Sequence, residues 1–222
     1  MKVGDCLPMI KKQSSPDGRL YQQLPHQYIE GRNHCLRCRA RQAEPQIPRA
    51  KGAWRVIPNL YLGNAVAAGD AATLRQLKVT AVQSVGPRSE KVCRGGNTLT
   101  LMRVAIQDND EAHILPFLEE ACTWINAELA KEDGVVLVHC RGGMNRSATM
   151  VAAFLVWKFP GMTAAEAIAV VRQARPAARF GRGEEGVLQR DLRQWELECR
   201  QQDGQGCVDG EAEKEPAPTG DG

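Results

Sequence analysis

Two hydrophobic periods alternate along the middle of this chain, and they predict its elements. Trp54–Asn64 alternates apolar and polar positions on either side of Pro58-Asn59, the pattern of two short strands joined by a turn. Asp70 to Leu77 has helical spacing, with Leu74 and Leu77 inward. Thr80–Val85 reads as a strand stopped by Gly86-Pro87, and Leu99–Ile106 as another. Ile114 opens a helix that runs to about Lys131. Val135–Val138 is a short β-branched apolar run after the turn signal Asp133-Gly134, which predicts a buried strand. Ala148–Trp157 is long and apolar enough for a buried helix. Thr163-Ala164-Ala165-Glu166 is a capping box before an Ala/Val-rich helix ending near Ala174, where Arg175-Pro176 breaks it. Leu188, Leu192 and Trp195 lie at helical spacing in a last amphipathic helix, from about Glu184 to Arg200.

Strands alternating with helices, closed by helices alone, predict an α/β fold. Its central mixed or parallel sheet is flanked by helices, and its ligand sits at the carboxyl ends of the strands.

Composition changes this picture at the ends. The 222 residues are 43% hydrophobic, enough for one ordinary domain and its core. Residues 1–51 carry ten Lys/Arg against four Asp/Glu, with scattered Pro and few aliphatics. Residues 201–222 carry six acids against one Lys, with Gly and Pro throughout. The expected organisation is a folded domain over 52–200 between a mostly disordered basic arm, 1–51, and a disordered acidic tail, 201–222. The net charge of +3 is what remains of these opposed flanks and names no partner. A basic arm can touch nucleic acid or membranes, but a solvated flexible tail is the simpler account, so neither partner is expected.

Met1-Lys2-Val3-Gly4-Asp5 leads into no apolar core, and Lys2 is not the Gly that myristoylation needs, so neither signal is expected. The apolar run near Ala148–Trp157 falls short of the roughly 18 residues of a membrane span. Eight cysteines without a secretory signal read as reduced thiols, which places the protein in the cytoplasm or nucleus. Cys35 and Cys38 form a lone CxxC. A zinc site wants four ligands, and His34, His26 and Cys6 stand at no persuasive spacing to complete it, so unliganded thiols are the preferred reading.

The candidate chemistry lies in His139-Cys140-Arg141-Gly142-Gly143-Met144-Asn145-Arg146-Ser147. A strand, a Gly-bearing loop and a helix N-terminus make an anion cradle, because backbone N–H groups converge there and the helix dipole adds positive potential. Cys140 sits at the mouth of that cradle. A cysteine so placed drops below its free pKa of about 8.5 and becomes a nucleophile at neutral pH, which also predicts reversible inactivation by peroxide. Arg146 offers a planar fork for two oxygens of a phosphoryl group. A Cys to attack and an Arg to hold oxyanions suit thiolate-based cleavage of a phosphate ester.

Cleavage also needs a general acid for the leaving oxygen, a contribution worth about 10²–10⁴-fold. The run Asp108-Asn109-Asp110-Glu111 follows a predicted strand and precedes a predicted helix. These acids are candidates for that role, or simply caps of the helix.

His139-Cys140-x5-Arg146-Ser147 resembles the signature loop of the cysteine-dependent protein phosphatases, with Gly143 at the glycine position of the HCxxGxxR form. The opening Leu60-Tyr61-Leu62-Gly63 is similar to that of the dual-specificity branch, and the resemblance covers about two thirds of the chain. It implies a phosphocysteine intermediate formed by Cys140, with phosphate oxygens held by Arg146 and the loop residues Arg141, Gly142, Gly143, Met144 and Asn145. It implies that Asp108 is the acid and then the base, with Asp110 the runner-up. Ser147 would ease departure of the thiolate. His139 would orient the loop, although a satisfied core histidine fits its position equally well. No metal or cofactor is implied. Arg179 and Arg182 would reach substrate phosphate, or else remain solvated loop arginines.

No Trp flanks Asp108, and no Tyr follows Tyr61 to clamp a phosphotyrosine ring. A shallow pocket follows, which admits phosphoserine and phosphothreonine as well as phosphotyrosine. The expected partners are therefore phosphorylated proteins, and the chain resembles a small, atypical dual-specificity phosphatase. Two other readings stay open: a phosphatase of RNA 5′-phosphates or phosphoinositides, and a phosphate-binding adaptor without turnover. The loop lacks the lysines of phosphoinositide-directed relatives, and an adaptor would have lost Cys140 or Arg146.

Overall fold

The structure, a computed structural model, describes residues 52–87, 92, 98–181 and 186–205. Expectations for residues 1–51, including Cys35 and Cys38, for Arg182, and for 206–222 lie outside the described residues.

Five strands form one sheet: β1 (Ala53–Ile57), β2 (Leu60–Gly63), β3 (Ala81–Val85), β4 (Thr100–Val104) and β5 (Val136–His139), in the order β1-β2-β5-β3-β4. The β1–β2 pair is antiparallel and the other three pairings are parallel, so the sheet is mixed, one of the two arrangements that the sequence leaves open. Asn59 makes the tight β1–β2 turn at φ 63°, a left-handed conformation that Asn tolerates better than most residues. β5 lies in the middle of the sheet. Its side chains are all buried, which is why Val136–Val138 is continuously apolar rather than alternating.

The period of two sorts the sheet's side chains between two cores. Tyr61, Val82 and Leu137 face a smaller cluster with Leu74 and Leu77. That side is covered by α1 (Ala65–Gly69) and α2 (Ala71–Gln76). Leu60, Leu62, Val136 and Val138 face the larger cluster with Ile125, Phe154, Ile168 and Leu192. These last four come in turn from α3 (Leu118–Ala130), α4 (Arg146–Lys158), α5 (Ala164–Ala174) and α6 (Val187–Gln205). α4 is the hub of that layer, buried without interruption from Arg146 to Val156. Burying roughly 2 kcal/mol worth of side chain at each large apolar position makes this packing, not helix propensity, the source of its stability.

The differences from expectation are local. Asn64 caps α1, a short helix the sequence pattern does not signal, by accepting from the Ala67 N–H at 3.0 Å. β4 is shorter than Leu99–Ile106. The helix expected from Ile114 begins as a 3₁₀ turn, Leu115–Phe117, before α3 proper. α6 continues to Gln205, so residues 201–205 of the predicted disordered tail are helical. Apolar periodicity ends at Cys199 and so cannot register a polar extension, yet Gln and Arg there are good helix formers. The Thr163–Glu166 capping box forms as expected, with reciprocal bonds of 3.1 and 2.9 Å.

Candidate active site

The loop between β5 and α4 is fixed from three sides by its own backbone. At Gly143, φ is +64°, and a Cβ there would lie 2.7 Å from the carbonyl oxygen of Gly63 at the end of β2. Only glycine satisfies both the left-handed conformation and that close approach. The Ala65 N–H donates to the carbonyl of Arg141 at 3.2 Å, and the Arg179 N–H to that of Met144 at 2.9 Å. The 175–181 segment that supplies Arg179 is itself held down where the Arg175 guanidinium stacks on the Trp54 ring at 3.7 Å.

Cys140 follows the last residue of β5 and is 4% exposed. The Ser147 hydroxyl donates to its sulfur at 3.1 Å. Arg146 is the first residue of α4, two positions earlier than apolar patterning starts that helix, so the guanidinium and the helix N-terminus act at one place. Arg146 is 3% exposed. Its Nη1 donates to the Ile106 carbonyl at 3.4 Å, and its Nη2 pairs with Asp108 Oδ2 at 2.9 Å. Its Nε is buried and finds no acceptor among the described residues. A buried donor left unmade costs about 1–3 kcal/mol, a deficit that an arriving oxyanion removes.

His139 is fully buried, and its Nε2 lies 2.6 Å from the hydroxyl of Ser84, its register partner on β3. Burial lowers its pKa to about 4, against a smaller opposing pull from a hydrogen bond with the Cys140 backbone. The ring is therefore neutral at physiological pH. It ties the end of β5 to β3 directly before Cys140, which joins the two readings open for it: a satisfied core histidine that also fixes the loop's start.

Asp108 is half-exposed on the 107–113 loop. With Asp110, Asn145, Arg146, Val187 and Leu188 it lines a cleft, and no aromatic side chain is among the described residues lining it. Neither acid caps the following helix. The Ile114 and Leu115 amides donate instead to Asp191 of α6, at 2.6 and 3.2 Å. Arg141 and Arg179 are exposed beside the loop, and their backbones rather than their side chains carry its hydrogen bonds.

Sequence reading missed Asp191 and Ser84. Asp191 had a signal: with Leu188, Leu192 and Trp195 it occupies the i, i+3, i+4, i+7 face of α6, where an acid is out of place. Ser84 had none, because its partner is 55 residues away.

Residues 60–196 match a family model described as "Dual specificity phosphatase, catalytic domain". The chain is 33% identical over 141 residues to human dual specificity phosphatase 28, across 61% of this chain and 75% of that protein. It is 32% identical over 160 residues to mouse dual specificity protein phosphatase 12, across 72% of this chain but only 46% of that longer protein. The crystal structure of human dual specificity phosphatase 28 superposes with a TM-score of 0.59 at 26% identity, covering 68% of this chain and 97% of the other. That of a mouse putative dual specificity phosphatase complexed with zinc tungstate gives 0.62 at 27% identity, covering 72% and 94%.

Proposed function

The chain belongs to the dual specificity phosphatase family and is a dual-specificity protein phosphatase, and we propose that its own substrates carry phosphotyrosine, phosphoserine and phosphothreonine. The observation that carries the reading is the buried Arg146 guanidinium with one unmade donor, opening α4 beside a Cys140 sulfur hydrogen-bonded by Ser147. A tetrahedral oxyanion fits that cradle in charge and shape. The mouse neighbour is described as complexed with zinc tungstate, and tungstate is a tetrahedral dianion like phosphate, which supports the same ligand chemistry.

In the first step the Cys140 thiolate attacks phosphorus in line. The S–P bond forms as the P–O bond breaks, and Asp108 gives its proton to the departing oxygen. Arg146 and the amides of Arg141, Gly142, Gly143, Met144 and Asn145 hold the equatorial oxygens. In the second step water attacks the phosphocysteine and its proton passes to Asp108. The S–P bond breaks, and Ser147 stabilises the sulfur as it leaves. The ion pair to Arg146 favours Asp108 over Asp110 for the acid role, since it brings that carboxylate to the phosphate-holding group. The cleft, with no aromatic among its described lining residues, supports acceptance of alkyl as well as aryl phosphates. The proposed setting is the cytoplasm or nucleus, where a nucleophilic thiol stays reduced.

A substrate panel tests the assignment: peptides bearing each phosphoresidue, a 5′-triphosphorylated RNA and a phosphoinositide. The proposal expects all three peptides to be turned over, and faster than either alternative. Preference for the RNA or the lipid, with peptides inert, overturns it.

A further inference from the structure

The described structure holds one buried acid that the two-step chemistry does not use and that nonetheless bonds to the segment carrying the proposed acid. Asp191 is 5% exposed and sits on the apolar face of α6 between Leu188 and Leu192. A carboxylate there is tolerated only if its oxygens are satisfied. They are: Oδ2 accepts from the Ile114 and Leu115 amides at 2.6 and 3.2 Å, and Oδ1 lies 2.9 Å from His113 Nδ1. All three donors lie at the exit of the 107–113 loop. The 3₁₀ turn that begins at Leu115 has no side-chain cap of its own, so a residue 76 positions away supplies one.

Two further fastenings at the entrance side of the loop run through Arg146. Its Nη1 holds the Ile106 carbonyl at the entrance, and its Nη2 holds Asp108 itself. A phosphate entering the cradle competes for the same guanidinium. Binding substrate therefore weakens the Asp108 ion pair at the moment Asp108 must stand at the leaving oxygen. The Asp191 attachment is independent of Arg146 and survives that exchange. It also comes from the helix whose first residues, Val187 and Leu188, line the same cleft as Asp108. One rigid element thus sets both that lining and the loop exit.

We propose that Asp191 is a positioning residue for the general acid: it fixes the exit of the 107–113 loop so that Asp108 stays aimed at the leaving oxygen after phosphate has taken its place on Arg146. The proposal rests on the reading of Asp108 as that acid.

A merely structural tie would lower activity on every substrate alike. A positioning role is selective, because a poor leaving group needs protonation and an activated aryl oxide does not. The experiment compares kcat for a phosphoserine peptide with kcat for p-nitrophenyl phosphate in wild type, Asp191→Ala, Asp191→Asn, Asp108→Asn and the Asp108→Asn/Asp191→Ala double variant. Asp191→Ala removes every acceptor, while Asp191→Asn keeps one oxygen for the amides and guards against a variant that simply fails to fold. The peptide-to-aryl ratio is expected to fall roughly tenfold in Asp191→Ala and less in Asp191→Asn. The double variant should show the ratio of Asp108→Asn alone, since a displaced acid and a missing one are then the same defect. An unchanged ratio in the folded Asp191→Asn and Asp191→Ala proteins overturns the proposal. Should Asp108→Asn leave the ratio intact while Asp191→Ala lowers it, the acid reading fails and the clamp stands, acting on another residue of the loop.

Discussion

The two halves of the site are built on opposite principles. On the nucleophile's side, Cys140, Arg146 and Ser147 are 4%, 3% and 0% exposed, on a loop wedged against β2 and opening the most buried helix of the fold. On the acid's side, Asp108 is half-exposed on a loop held by a few polar bonds to Arg146 and Asp191. A preorganised oxyanion cradle works best when nothing in it moves. An acid that must meet leaving groups of different sizes works from a segment fastened at its ends. The contrast teaches that the same lost hydrogen bond should cost affinity on one side and leaving-group selectivity on the other.

The largest expected difference between substrates is on the acid's side. Asp108→Asn should slow a phosphoserine peptide by about 10²–10⁴-fold and p-nitrophenyl phosphate far less, while phosphate or tungstate affinity is retained or strengthened because Arg146 loses a competitor. Steady-state kinetics with both substrates checks this, and equal losses on the two would remove Asp108 from the acid role.

On the nucleophile's side two adjacent glycines sharpen the comparison. Gly143→Ala forces a left-handed alanine, which costs about 1–2 kcal/mol, against the Gly63 carbonyl. Oxyanion affinity should fall at least roughly tenfold, with both substrates slowed together. At Gly142 a Cβ meets only the flexible end of Met144, at 3.1 Å, so Gly142→Ala should change either quantity by about twofold or less. Calorimetric binding of tungstate to both variants separates them.

A smaller effect concerns the buried support beneath Cys140. His139 titrates at about 4 in the folded protein against 6.5 for the free side chain. The unfolded chain therefore binds the extra proton between those values, and stability falls as pH drops through that window. The contribution is whole above pH 6.5 and amounts to about 3 kcal/mol lost well below pH 4. Urea unfolding at a series of pH values, with His139→Asn for comparison, should show that slope in wild type and lose it in the variant.

This division also explains what the sequence made legible. The nucleophile's half is local: strand, loop, arginine and helix are contiguous from Val136 to Lys158, and period and motif mark them without reference to the rest of the chain. Even there, patterning began the helix at Ala148, because Arg146 and Ser147 are polar and yet buried. The acid's half is assembled across sequence. From 108–111 alone, a carboxylate facing a distant arginine cannot be told from one capping the next helix. The decision comes from Asp191, which takes the capping role from 77 positions downstream. The sheet order, with β5 inserted between β2 and β3, is equally invisible to a reading of local periods. The α/β class itself was legible through the alternation of strands with helices, while the choice between a mixed and a parallel sheet was left open until the antiparallel β1–β2 pair decided it.

The central claim is that the Cys140 sulfur carries the phosphoryl group between substrate and water. Rapid acid quench of the enzyme during turnover of a phosphopeptide, followed by peptide mass spectrometry, tests it directly. The account predicts an added phosphoryl group on the fragment containing Cys140, present in wild type and absent from Cys140→Ser, which should bind tungstate yet turn nothing over. Sustained hydrolysis by Cys140→Ser, or turnover by wild type with that fragment never modified at any quench time, would contradict it.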